Sequence, residues 1–164
     1  MNLDDLEKLN TAVEFLINQK SFVERIEQLS EEIDHSHESF VWSVIDLVFI
    51  DRKLPECIRS CWLFVLKKDV WTGCHYHPDS IQHMVMVNGQ GVSKVAGIQE
   101  RMIQFGSSNN PLADIWYVID KGVPHEFFPE DSNMVVISFH TCEAKELEEV
   151  DCGTGEKRRY EKEN

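Results

Sequence analysis

Three histidines carry the most pointed chemistry in this chain. His75 and His77 stand two positions apart in Gly73-Cys74-His75-Tyr76-His77-Pro78. Side chains of an extended segment alternate between faces with period two, so both imidazoles project from one side. That is a spacing for two ligands of one metal ion. A third imidazole from another strand would complete a face around it, and His125, seated directly after Gly122-Val123-Pro124, is the candidate. Neutral imidazoles suit Fe(II), Zn, Ni, Cu and Mn ions, and three of them leave positions open for a substrate and O2. Such a centre keeps the full charge of a divalent ion and therefore favours an anionic ligand such as a thiolate, enolate or carboxylate. The plainer alternative is a metal-free protein whose histidines are ordinary polar groups of a pocket. His35-Ser36-His37 repeats the spacing, but it follows a helix end among Asp34, Glu38 and Ser39 without β-branched neighbours, and reads as exposed loop.

The elements that must position these residues fall into two textures. Leu6, Leu9, Val13, Leu16 and Ile17, then Phe22, Ile26, Leu29 and Ile33, recur at helical spacing and predict two amphipathic helices. Asn18-Gln19-Lys20 reads as the break between them, and Ser21 with Glu24 reads as a capping box. After Ser43 the pattern changes to short β-rich runs over 44–50, 58–66, 81–87, 92–98, 115–119 and 134–139, separated by turn residues. Asn88-Gly89 between two of these runs is a hairpin signal. Many short strands at close spacing indicate a sandwich or a jelly-roll barrel. The expected organisation is a helical segment over 1–42, a single β domain over 43–143 and an acidic, mobile tail over 144–164.

Composition bounds the partners. A length of 164 residues fits one domain with a sizeable core. A net charge of −13 argues against nucleic acid or an anionic membrane as partner. The basic run Lys157-Arg158-Arg159 is diluted by Glu156, Glu161 and Glu163 and reads as solvated. Cys57, Cys61, Cys74, Cys142 and Cys152 are odd in number and lack zinc-ribbon spacing, so they read as reduced thiols, with Cys57 and Cys61 used for packing and Cys74 facing away from the ion. Asp4, Asp5 and Glu7 take the place of a basic leader, and no apolar run reaches membrane-spanning length. The expectation is a soluble, cytoplasmic protein, monomeric or homodimeric.

Gly73, His75, His77, Gln82 and Gly89, followed by Gly122-x-Pro124-His125, resemble the two motifs of the cupin superfamily over about 58–142. The resemblance implies a mainly β fold, a single cupin jelly-roll barrel preceded by two N-terminal helices, with His75, His77 and His125 as metal ligands inside the barrel. Gln82 stands about where that superfamily usually places a glutamate ligand. Within the superfamily, His75-Tyr76-His77-Pro78-Asp79-Ser80 is similar to the opening motif of the cysteine dioxygenases, which use three histidines and Fe(II) to add O2 to a thiol. Ser138-Phe139-His140-Thr141-Cys142 corresponds to that family's Ser-x-His-x-Tyr strand, and the helices before the barrel and Asp151-x-x-Thr154-Gly155-x-Lys157 are similar as well.

What this implies is an Fe(II)-dependent dioxygenase that turns a small thiol, cysteine or a mercapto acid, into a sulfinate. Period two places Ser138, His140 and Cys142 on one face. His140 would then orient or protonate an oxygen intermediate, with Ser138 holding its tautomer; the structural alternative is a core histidine bonded to Ser138 and nothing more. The family's carboxylate-binding arginine corresponds best to Arg52, with Arg59 in reserve. Gln82 and Cys142 replace the crosslinking cysteine and tyrosine of the animal enzymes, so that crosslink is absent here. Trp62, Tyr76 and Trp116 are candidates for a pocket mouth, and His83 should point outward. The candidates for substrate contact are Arg52, Arg59, Gln82, Tyr76 and Cys142. Two alternatives stand beside this reading. One is another metal-dependent cupin enzyme, a non-thiol dioxygenase, lyase or isomerase, and the other is a non-catalytic module that binds a small ligand.

Overall fold

The N-terminal helices form where apolar spacing and capping agree. In the computed structural model, which describes residues 2–50, 53–107 and 110–160, α1 spans Leu3–Ile17. The side chain of Asn2 accepts from the Asp5 N–H, and Asp4 and Asp5 complement the helix dipole in the first turn. Helix α2, Lys20–His35, begins after Gln19 with no side-chain cap, so the Ser21–Glu24 capping box expected from sequence does not form. The chain has already entered the helix at Lys20, which leaves Ser21 inside the first turn rather than before it.

The strands are β1 (Phe40–Ile45), β2 (Ser60–Leu66), β3 (His75–Tyr76), β4 (Gln82–Asn88), β5 (Gly91–Val95), β6 (Ile98–Arg101), β7 (Tyr117–Ile119), β8 (His125–Pro129), β9 (Met134–His140), β10 (Glu148–Asp151) and β11 (Lys157–Arg159), with a short helix α3 over Leu112–Ile115. Among the described residues they make two antiparallel sheets, ordered β1-β2-β9-β4-β7 and β11-β10-β3-β8-β5-β6. The result is the mainly β, cupin-like domain after two helices that the sequence implies. No helix among the described residues is long and apolar enough to cross a membrane.

Strands β2 and β9 are buried along their whole length because both faces of the first sheet are covered. Period two sorts them. Cys61, Leu63, Val65, Val135, Ile137 and Phe139 pack with Leu9, Val13, Leu29 and Ile33 of the helices. Trp62, Phe64, Leu66, Met134 and Val136 pack inward with Met84, Met86 and Phe127. Each such aliphatic side chain contributes about 1.5–3 kcal/mol by leaving water, which fixes the helices on the sheet. The same alternation sends Ser138 and His140 of β9, and Gln82 of β4, toward the interior.

Several expectations change. Asn88-Gly89 does not close a hairpin: β4 and β5 lie in different sheets, and Gly89, with φ at +99°, turns the chain across from one to the other. The run 44–50 becomes the end of β1 followed by a 3-10 turn, and 115–119 divides into α3 and β7 at Trp116. Residues 144–160 are not a mobile tail. Val150 and Tyr160 are buried, and the charges read as solvated are cross-strand partners, with Lys157 and Arg159 on Glu148 and Arg158 on Glu149. The reading of five reduced thiols also fails: Cys74 and Cys152 are disulfide-bonded, leaving Cys57, Cys61 and Cys142 free. The bond removes the reduced cysteines as an argument for the cytoplasm.

Candidate metal centre

His75 lies on β3 directly opposite His125 at the start of β8, and His77 follows two residues on. The His75 and His125 rings are 4.4 Å apart between centroids, and His77 stands 5.3 Å from His75 and 5.4 Å from His125. Their ligand nitrogens lie within 4.8 Å of one another.

The backbone sets which nitrogen each ring offers. His75 Nδ1 is 3.0 Å from the Gly73 carbonyl, His77 Nδ1 is 2.8 Å from the Glu148 carbonyl, and His125 Nδ1 is 2.9 Å from the Val123 carbonyl. A carbonyl only accepts, so every Nδ1 carries the proton and every Nε2 presents a lone pair. Two turns make this possible. Gly73, with φ at +89°, swings its carbonyl back toward the ring two residues later. Gly122, with φ at +71°, donates its N–H to the His77 carbonyl at 2.8 Å and so ties the turn before His125 to the first pair. His125 Nε2 is buried without a hydrogen-bond partner among the described residues. A buried acceptor is costly to leave unpaired, and three convergent Nε2 lone pairs with their Nδ1 protons pinned are the donor set a divalent ion requires. The residues therefore fit a metal.

Burial lowers the His77 pKa to about 4, assisted by the neighbouring His75, and holds His125 well below its ordinary value, assisted by His75 and His77. Both rings are neutral near pH 7, as ligation demands.

His140 is buried, with its ring centroid 5.1 Å from that of His77. Its Nε2 is 2.9 Å from Ser138 Oγ and its Nδ1 is 3.1 Å from Ser80 Oγ, so both nitrogens are engaged and the ring bridges two hydroxyls. Burial, and then His77, hold its pKa well below the usual histidine value.

A cavity of about 30 Å³ opens beside the histidines. His75, His77, Thr72, Gln82 and Tyr160 supply its polar lining, and Phe40, Phe64, Met84 and Phe127 most of the rest. Gln82 is buried there; its Nε2 reaches Met84 Sδ at 3.7 Å and its Oε1 has no hydrogen-bond partner among the described residues. No Lys or Arg among the described residues lines this space.

The other candidates lie elsewhere. Arg59 is exposed, donates to the Glu56 and Ile58 carbonyls and lines a separate groove beside β1, because it precedes the first inward position of β2. Arg52 lies outside the described residues. Tyr76 pairs with Val150 and, by alternation, takes the side of β3 opposite His75. Cys142 is buried past the end of β9, where burial pushes its thiol pKa up. Trp62 is fully buried and donates to Ser60 Oγ at 3.1 Å, and Trp116 lines a different groove. His83 is on the face opposite Gln82 and is buried rather than exposed.

Sequence reading missed Glu149, Arg158 and Tyr160, which the β10–β11 hairpin carries to the edge of the cavity. Glu149 Oε2 comes within 3.8 Å of His75 Nε2, the Tyr160 hydroxyl hydrogen-bonds to Glu149, and Arg158 Nε is 2.8 Å from Glu149 Oε1. The available signal was the turn Asp151-Cys152-Gly153-Thr154, in which Asp151 Oδ1 accepts from the Gly153 and Thr154 N–H groups at 2.8 and 2.7 Å.

No family model and no curated protein matches the chain. Solved structures match its fold. A variant of the salicylate 1,2-dioxygenase of Pseudoaminobacter salicylatoxidans superposes with a TM-score of 0.59 at 14% identity, over 84% of this chain and 39% of that one. The coconut allergen cocosin superposes with a TM-score of 0.52 at 12% identity, over 71% of this chain and 29% of its own. The chain thus spans well under half the length of either.

Proposed function

We propose that this chain is a metal-dependent oxidoreductase that adds O2 to a small thiol, with Fe(II) held by His75, His77 and His125. The observation that carries the reading is the convergence of three Nε2 lone pairs whose Nδ1 protons are fixed on backbone carbonyls. Bound there, the ion would supply a Lewis-acidic, redox-capable centre with open positions for thiolate and O2. The overall change is RS⁻ + O2 → RSO2⁻, in which both oxygen atoms end on sulfur and no outside reductant is needed.

The chain's own groups have separate tasks. His140, bridging Ser138 and Ser80, is a neutral relay beside His77 that can orient a polar group or pass a proton between hydroxyls. Gln82 offers an unpaired carbonyl oxygen to a donor on the substrate. Aromatic side chains at the cavity exclude water from the reacting sulfur. Tyr76 and Cys142 do not line the cavity, and Arg52, outside the described residues, stands as the candidate for a substrate carboxylate. The second reading, a larger aromatic substrate of the kind named for the dioxygenase of like fold, is separated from the first by the substrate panel below.

The test is O2 consumption by iron-loaded protein across a panel of small thiols, mercapto acids and salicylate. Thiol-dependent uptake with stoichiometric sulfinate is expected. Uptake with salicylate alone, or with no compound in the panel, would sink the thiol reading.

A further inference from the structure

The hairpin β10–β11 contributes a carboxylate that faces the histidine centre. Glu149 is nearly buried, and its two oxygens are held differently: Oε1 by Arg158 Nε at 2.8 Å, Oε2 by the Tyr160 hydroxyl. Oε2 also lies 3.8 Å from His75 Nε2. Because the Gly73 carbonyl keeps the His75 proton on Nδ1, that approach sets one lone pair against another. Tyr160 and Arg158 hold the carboxylate from the hairpin side, but the two acceptors facing each other in a nearly dry site still repel, and a cation between or beside them relieves this. His125 Nε2 and Gln82 Oε1, both buried without hydrogen-bond partners among the described residues, are two more such acceptors, one in the histidine cluster and one on the cavity wall.

The geometry points to Glu149 as the charge-compensating carboxylate of the metal centre, delivered by the C-terminal hairpin, held by Tyr160 and partly neutralised by Arg158. This rests on the three-histidine metal reading proposed above. Its consequence is a centre of lower net positive charge than three imidazoles alone would give, so a second negative group on a substrate gains less from it. The Arg158 guanidinium, 4.6 Å from the centroid of the cavity-lining Phe40 ring, is the cation that competes for this charge by pairing with Oε1.

The test is titration of chelator-treated full-length protein with Co(II), following both affinity and the visible spectrum of the bound ion. E149Q is expected to weaken Co(II) binding by about 10–100-fold and to alter the spectrum. Arg158→Met removes the cation that neutralises part of the carboxylate's charge while Tyr160 still holds it, so it is expected to bind Co(II) more tightly than wild type. If E149Q matches wild type, or if Arg158→Met binds Co(II) no more tightly than wild type, the carboxylate acts only in packing the hairpin and the proposal falls. The Arg158→Met arm decides the matter even if E149Q does not fold. Wild-type protein that binds no Co(II) would instead remove the metal reading itself, and this proposal with it.

Discussion

His77 and His83 are both buried imidazoles whose pKa burial lowers to about 4, yet His77 follows β3 of the second sheet while His83 lies on β4 of the first. In the unfolded chain each titrates near about 6.5. Between about pH 4 and 6.5 the unfolded state therefore binds more protons than the folded state, and stability rises with pH across that window. Each residue accounts for about 3 kcal/mol of it, fully present above about pH 6.5 and lost as pH falls toward 4. Because His83 stands on the helix-facing side, opposite Gln82, His83→Leu is expected to remove its own share of this dependence in metal-free protein, with His77, His125 and His140 supplying the rest, without changing metal affinity. Urea unfolding at pH 5 and 7.5 measures it, and an unchanged difference between the two pH values would contradict the assignment. At this scale the sequence was informative about the ligands, because a two-residue spacing on a strand leaves little freedom. It said much less about Glu149, whose orientation depends on a hairpin that pairs with β3 from the far end of the chain.

At the scale of elements, the hairpin β10–β11 is bound to the site by pairing with β3 and by the Cys74–Cys152 bond, one residue from a ligand. A crosslink closing a loop of 78 residues typically contributes about 2–4 kcal/mol by restricting the unfolded chain. Cys152→Ser is expected to cost that much in denaturant unfolding, and reductant is expected to do the same to wild type and nothing further to the variant. Equal stability of both proteins in oxidising buffer would contradict the bond. The long elements were legible because α1, α2, β2, β4 and β9 each bury an apolar stripe or run. The short ones were not: β3 has two residues, β6 is exposed throughout, and β10 and β11 are stabilised by cross-strand ion pairs that look, in sequence, like a solvated charge run. The Asn88-Gly89 turn was placed correctly but joins two sheets, a distinction that lies in tertiary packing and not in turn chemistry.

For the molecule as a whole, the helix layer and the first sheet form one core and the interior between the sheets forms another, with the histidines at the edge of the second. This arrangement leaves a net charge of −13 on the chain while the centre offers only lone pairs, so the protein's field and its site both favour a cation. The central claim is that His75, His77 and His125 hold one ion together. X-ray absorption on protein purified without chelator, paired with metal content, tests it most directly. The account predicts one ion per chain with imidazole nitrogens at about 2.0–2.2 Å, and loss of that ion in a folded His77→Ala variant. Full metal content and an unchanged spectrum in His77→Ala would contradict it.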